Sequence, residues 1–197
     1  GTGKILEKGK VEVIASDGKQ QILESEHILV ATGCKTREFP DLPFNGLSVV
    51  GSSEAMVMEN QPKDIIIIGA GAIGVEFAYF FNAFGTKVTI VEMMPNILPV
   101  EDHEVSVELE KSFKKSGIEI LSSTKVVGTK DLGNGVEITI QEEGSDPRTL
   151  SSEVALIAIG VAPVLPADFT MDLDRGYIVT DDNYQTSAPG VYAVGDI

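Results

Sequence analysis

The sequence predicts an α/β fold: a parallel sheet carrying helices, with a β-meander beside it and shorter stranded segments on either flank. Three observations point there. Ile65 to Ile68 is an unbroken aliphatic run of the kind that a parallel sheet buries on both faces. Ile73, Phe77, Phe80, Phe81 and Phe84 follow at helical spacing and predict an apolar helix face packed on that sheet. Thr86 to Val91 then reads as a second strand, so strand, helix and strand succeed one another with the short connections of a parallel crossover.

Ahead of this unit, strand-like runs at Lys4 to Glu7, Val11 to Ala15, Gln21 to Glu24 and His27 to Val30 predict a small antiparallel meander. The Pro- and Gly-punctuated stretch from Phe39 to Gly46 reads as a linker. Beyond the second strand, a further helix is marked by its charges. Glu101, Asp102 and Glu104 fall in its first turn and Lys111, Lys114 and Lys115 in its last, matching the macrodipole, with Val105, Leu109 and Phe113 as the apolar row. No oxygen-rich loop with Asp at alternate positions accompanies the acids, so a helix start explains them better than a metal site. Ile118 to Leu121 is a third strand. A second meander follows at Lys125 to Lys130, Val136 to Gln141 and Arg148 to Leu150, then a buried strand from Glu153 to Ile159 closing at Gly160. Short strands return at Tyr177 to Val179 and Val191 to Val194.

Thirty acidic against fifteen basic side chains give a net charge of −15, which repels nucleic acid and anionic membrane surfaces, so neither is an expected partner. No run approaches the roughly 18 apolar residues of a membrane span. The single cysteine, Cys34, has no partner for an internal disulfide, and two histidines provide no metal-ligand cluster. Cys34 reads as a small, partly buried thiol. The start lacks Met and the final residues read as a strand, so both ends are expected to be cut from a longer chain.

The informative motif is Gly69-Ala70-Gly71-Ala72-Ile73-Gly74, directly after the aliphatic strand and at the opening of the Phe-rich helix. The first glycine permits a tight turn, the second lets backbone approach a pyrophosphate, and the third allows close helix packing, with phosphate at the helix N-terminus. Glu92 closes the next strand, where a carboxylate can accept hydrogen bonds from both ribose hydroxyls of an adenosine and repels a 2′-phosphate. No Arg or Lys in the stretch from Met93 to Val100 reverses that preference, which selects NAD over NADP. The blander alternative is that these glycines serve packing alone.

Taken in order, these segments resemble the pyridine nucleotide-disulfide oxidoreductases, most closely the dihydrolipoamide dehydrogenases. The landmarks are Gly1-Thr2-Gly3-Lys4, Ala31-Thr32-Gly33, the glycine motif through Val75 and Glu76, Glu92, Ile159-Gly160-Val161-Ala162-Pro163, and Tyr192-Ala193-Val194-Gly195-Asp196. The resemblance implies NAD contacts at Gly69 through Glu76, Glu92, Val126 and Gly160, and FAD contacts at Gly3, Thr32, Gly33 and Asp196. It places Glu76 near the meeting point of flavin and nicotinamide. Where many members have Gly-Arg-x-Pro-Asn, this chain has Gly160-Val161-Ala162-Pro163-Val164, so the contact of that Arg is missing.

The same resemblance implies three segments: residues 1–40 and 164–197 as parts of a FAD-binding domain, and residues 46–163 as a Rossmann-type NAD-binding domain. The ends should pack on each other, with Ile28 to Ala31 beside Val191 to Val194. The implied whole enzyme is a homodimer, joined through a C-terminal domain, that reoxidises dihydrolipoamide carried on an acyltransferase of a 2-oxo acid dehydrogenase complex. It would be cytoplasmic in a bacterium or in the mitochondrial matrix of a eukaryote. Its redox cysteine pair and His-Glu acid–base pair are not in this sequence, so no catalytic residue is assigned, FAD is expected only in the full-length protein, and the chain alone is expected to be inactive. Alternatives are a soluble transhydrogenase, mercuric reductase or NADH oxidase of the same family, or a non-catalytic NAD-sensing module.

Overall fold

The computed structural model describes residues 1–40 and 42–197. Its elements run β1 (Thr2–Glu7), β2 (Lys10–Ile14), β3 (Gln20–Glu24), β4 (Ile28–Val30), β5 (Cys34–Thr36), β6 (Val49–Val50), α1 (Ser52–Ala55), β7 (Asp64–Ile68), α2 (Ala72–Ala83) and β8 (Lys87–Val91). They continue with α3 (His103–Lys115), β9 (Glu119–Leu121), β10 (Thr124–Asp131), β11 (Val136–Glu142), β12 (Arg148–Ser152), β13 (Val154–Ile157), β14 (Val161–Pro163), β15 (Leu173–Asp174), β16 (Tyr177–Ile178) and β17 (Val191–Ala193). The chain divides into a central unit, Thr36–Gly160, and a terminal unit made of Gly1–Lys35 with Val161–Ile197.

The central unit is built on a parallel sheet of order β6-β13-β7-β8-β9. Because side chains alternate across a strand, the aliphatic run of β7 serves two cores at once. Ile65 and Ile67 join Val88, Ile90 and Leu156 under α2 and α3. Ile66 and Ile68 join Val91, Ala155 and Ile157 beneath Val136, Ile138 and Ile140 of the antiparallel meander β10-β11-β12. Each such side chain taken fully out of water contributes about 1.5–3 kcal/mol before entropy is counted.

Several expectations need correction. The inner face of α2 is Gly74, Val75, Ala78 and Phe81, whereas Phe80 and Phe84 remain 49% and 65% exposed. Gly74 has to be small because the helix start presses against the Gly69 carbonyl, Phe81 fills the core further along the helix, and the Phe80 and Phe84 rings lie outside it, tilted at 48° to each other with centroids 4.9 Å apart. On α3, Ser106 and Phe113 are the buried positions, and Val105 points outward. Ser106 is admitted because its hydroxyl donates to the Leu98 carbonyl. Asp102 is the N-cap of α3, accepting from the Glu104 N–H; Glu101 lies ahead of the helix, and Lys111 lies short of the last turn. The stretch read as a linker is packed: Phe39 and Leu42 form a β-bridge, and fully buried Leu42 joins the meander core with Phe39 and Phe44. Asp41, also within that stretch, lies outside the described residues.

In the terminal unit β1, β2 and β3 form the antiparallel meander, but the fourth run leaves it. β4 pairs in parallel with β17 instead, Ile28 opposite Val191 and Val30 opposite Ala193, because those apolar side chains share a core with Ile5, Met171, Ile178 and Ile197. Among the described residues no helix is long and apolar enough to cross a membrane.

Candidate functional site

In the central unit the glycine motif connects the carboxyl end of β7 to the start of α2. Gly69 has φ +103°, and a Cβ there would lie 2.4 Å from the Ala158 carbonyl oxygen, so the turn is pressed against the end of β13. A Cβ on Gly74 would lie 2.0 Å from the Gly69 carbonyl oxygen. Those two glycines are explained by packing within the chain. Gly71, the N-cap of α2, has φ −71° and ψ −175°, an extended backbone any residue adopts, and a Cβ there would meet nothing within 4 Å. A side chain at Gly71 would thus project into open space, beside the first N–H groups of α2, which have no acceptor inside the helix.

Glu92 stands at the end of β8, buried to 6% exposure. Its Oε2 accepts the Ala70 N–H at 2.7 Å and its Oε1 the Met94 N–H at 2.8 Å. The loop is tied further by Gly69 N–H donating to the Val91 carbonyl and Leu98 N–H to the Ala70 carbonyl. Thr124, which opens β10, donates its N–H to the Glu92 carbonyl, bringing the strand that carries half-buried Val126 to the same end of the sheet. Gly160 follows β13 with φ +103° and, like Gly71, leaves a Cβ position open. Of the remaining motif residues, Val75 is buried against the helix core, Ile73 is half-buried, and Ala72 and Glu76 are exposed on α2. The arrangement therefore gathers Gly69 to Gly74, Glu92, Val126 and Gly160 at the carboxyl end of the sheet, with Glu76 on the outer side of the helix.

The terminal unit holds the second cluster. The Thr32 hydroxyl donates to the Val164 carbonyl, and the Val164 N–H donates to the Gly33 carbonyl at 2.8 Å. Gly33 has φ +69°, and a Cβ there would meet no other atom within 4 Å. Cys34, half-buried, points its thiol at Asp196 Oδ2, 3.9 Å away. Thr32, Gly33 and Asp196 are thus joined through Val164 and Cys34, two residues to which sequence reasoning gave no site role. The signal was present, since Cys34 directly follows Ala31-Thr32-Gly33 and Asp196 lies three residues beyond the end of β17, the partner of β4. Gly3 lies in the separate meander sheet, on β1 opposite Val13.

A parallel strand, a glycine turn, a helix start and an acid closing the next strand define a Rossmann-like α/β protein. Comparison with known proteins narrows the class. The chain belongs to the pyridine nucleotide-disulphide oxidoreductases, a family that matches residues 1–197. The dihydrolipoyl dehydrogenase of Chlorobaculum tepidum is 38% identical over 216 residues, covering 100% of this chain and 46% of that protein. Among solved structures, LpdA from Mycobacterium tuberculosis aligns with a TM-score of 0.86 at 28% identity, covering 98% of this chain and 43% of the other. The Cu(II) complex of the HOCl-induced flavoprotein disulfide reductase RclA from Escherichia coli gives 0.84 at 28% identity, covering 100% and 44%. The chain spans about half the length of the curated relatives it matches.

Proposed function

We propose that this chain is the NAD(H)-binding portion of a FAD-dependent dihydrolipoamide dehydrogenase, an enzyme that reoxidises dihydrolipoamide with NAD. The observation that carries the reading is Gly71. Packing accounts for Gly69 and Gly74 but leaves Gly71 without an intrachain reason to be glycine, whereas a pyrophosphate approaching the backbone at the N-terminus of α2 supplies one. Glu92 would accept the adenosine ribose hydroxyls, and its charge disfavours a 2′-phosphate. Val126 and Gly160 would border the nucleotide, and Glu76 would lie toward the nicotinamide.

In the same reading Thr32, Gly33 and Asp196, together with Gly3, contribute to the flavin site, where an exposed carboxylate and an open glycine suit a ligand rich in hydroxyls. Bound flavin and nicotinamide supply the hydride chemistry. The chain's own part is to bind and orient them. Residues 46–163 would then be the NAD-binding domain, and residues 1–40 with 164–197 part of the FAD-binding domain. The whole protein would be a homodimer in the cytoplasm or mitochondrial matrix, served by dihydrolipoamide on an acyltransferase of a 2-oxo acid dehydrogenase complex. The chain alone is proposed to be inactive, because one cysteine cannot cycle through a disulfide. The likeness to RclA supports a second reading, a flavoprotein disulfide reductase with another substrate.

Titration with NADH and NADPH tests the proposal. NADH should bind more tightly, and Glu92→Ala should weaken it by about 1–3 kcal/mol, the loss of charge-assisted hydrogen bonds. Gly71→Val should fold normally yet lose most NADH affinity. Tighter binding of NADPH, or full affinity in Gly71→Val, would sink the nucleotide reading. Yellow purified protein, or lipoamide turnover by this chain alone, would show that the flavin and disulfide roles are wrongly placed.

A further inference from the structure

Glu92 enters the proposed site by its charge, yet both of its carboxylate oxygens are already engaged by the protein's own backbone. The Ala70 N–H reaches Oε2 and the Met94 N–H reaches Oε1. Ala70 is fully buried, so without Glu92 its N–H would face neither water nor another acceptor in the observed arrangement, a costly state for a buried donor. The backbone of Glu92 is held as firmly, its N–H by the Leu121 carbonyl and its carbonyl by the Thr124 N–H, both at 2.9 Å. Met94 is fixed in turn, its carbonyl accepting the Ser123 N–H. Glu92 therefore ties the loop after β7 to the loop after β8 and to the turn between β9 and β10.

We infer that Glu92 is a positioning residue for the loop Gly69 to Gly71, in addition to its proposed contact with ribose. The inference rests on the nucleotide reading above and deepens it: the group that discriminates the nucleotide also shapes the loop that receives its phosphates. A carboxylate offers about four acceptor positions, so two backbone donors leave room for two hydroxyls. Glutamine cannot do the same. Its NH2 group would confront one of the two N–H donors, so one bond becomes a clash of donors. Aspartate keeps the charge but is a methylene shorter and cannot reach Ala70 and Met94 together. Removing the charge at residue 92 to admit NADPH would consequently loosen the loop and weaken both nucleotides.

The test uses a ligand that keeps the diphosphate and lacks the hydroxyls, 2′,3′-dideoxyadenosine diphosphate. Glu92→Gln should bind it roughly tenfold more weakly than the unmodified chain does, although the ligand has no ribose hydroxyl to lose. Amide exchange at Ala70 should quicken while Ile66 and Ile67 stay protected, which also establishes that the variant is folded. Glu92→Asp should show the same loss while still rejecting NADPH. Unchanged affinity for the dideoxy nucleotide together with unchanged exchange at Ala70 would overturn the inference and leave Glu92 a ribose contact only. If the unmodified chain binds NADH not at all, the nucleotide reading fails, and Ala70 exchange in the two variants still decides whether Glu92 holds the loop.

Discussion

The central and terminal units are both made of parallel strands with a three-stranded meander, but they differ in how they treat the second face of a parallel strand. In the central unit, alternate residues of β7 enter two cores, and all four of Ile65 to Ile68 are buried. In the terminal unit, Ile28, Val30, Val191 and Ala193 are buried on one side of the β4-β17 pair while Leu29 on the other is 61% exposed. The edge strand β3 likewise exposes Ile22 and Leu23. Parallel strands are ordinarily covered on both faces. Within this chain, which spans about half the length of the curated relatives it matches, an aliphatic residue on that uncovered face buries less than one on β7.

The largest effect that could break this comparison is at Gly74. Gly74→Ala places a Cβ 2.0 Å from the Gly69 carbonyl oxygen, and Gly69 cannot withdraw because it is itself pressed against Ala158 and tied through its N–H to the Val91 carbonyl. A cost of about 4 kcal/mol or more is expected, read as a collapse of the urea midpoint. A normal midpoint would mean that α2 is not seated as tightly as described.

Core truncation sharpens the comparison further. Ile67→Ala, on the strand buried on both faces, should cost about 3 kcal/mol, and Ile28→Ala in the terminal unit about 2 kcal/mol, near the low end for such deletions because its surroundings are freer to relax. Denaturation with a probe in each unit measures both. Equal costs would dissolve the distinction.

The smallest effect is electrostatic. In the central unit the Gly133 N–H, the Asn45 amide and the Ser48 hydroxyl hold the Asp131 carboxyl below its usual range. A carboxyl lowered in the folded state stabilises above its unfolded value, near pH 4, and that contribution fades as pH falls through the lowered value. Asp131→Asn should thus flatten the acid limb of a stability-against-pH curve; an identical limb would refute it. In the terminal unit the Lys4 ammonium lowers Asp168 in an exposed pair, and Asp168→Asn should leave the midpoint unmoved at moderate salt.

The order of strands and helices was legible because periodicity records burial averaged along an element: the run at Ile65 to Ile68 read directly, and the charges around α3 marked the helix although Glu101 and Lys111 fall outside its first and last turns. The side chains that face inward were less so. Hydrophobicity favours Phe80 and Phe84 for the inner face of α2, but Val75, Ala78 and Phe81 take it, alongside Gly74, whose close approach to the Gly69 carbonyl is a constraint set by distance and invisible to spacing. Leu42 shows the converse, a buried anchor concealed among prolines. For the candidate site, the meeting of the glycine loop with Glu92 at one end of the sheet was readable from their order along the chain. The bonds from Glu92 to Ala70 and Met94, and the approach of Cys34 to Asp196, were not, because each depends on two loops meeting in space.

The strand order β6-β13-β7-β8-β9 has a consequence for how the molecule comes into being. β13 is the last strand of that sheet to be synthesised, yet it lies between β6 and β7 and pairs with both. A nascent chain that has emerged only as far as β12 carries a bare edge on β7 and a β6 with no neighbour. The centre of the sheet can close only when residues 154 to 157 leave the ribosome, and long-range closure of this kind is slow. Throughout that interval the aliphatic edge of Ile65 to Ile68 is available to other chains, which makes this the stage at which a chaperone would matter most.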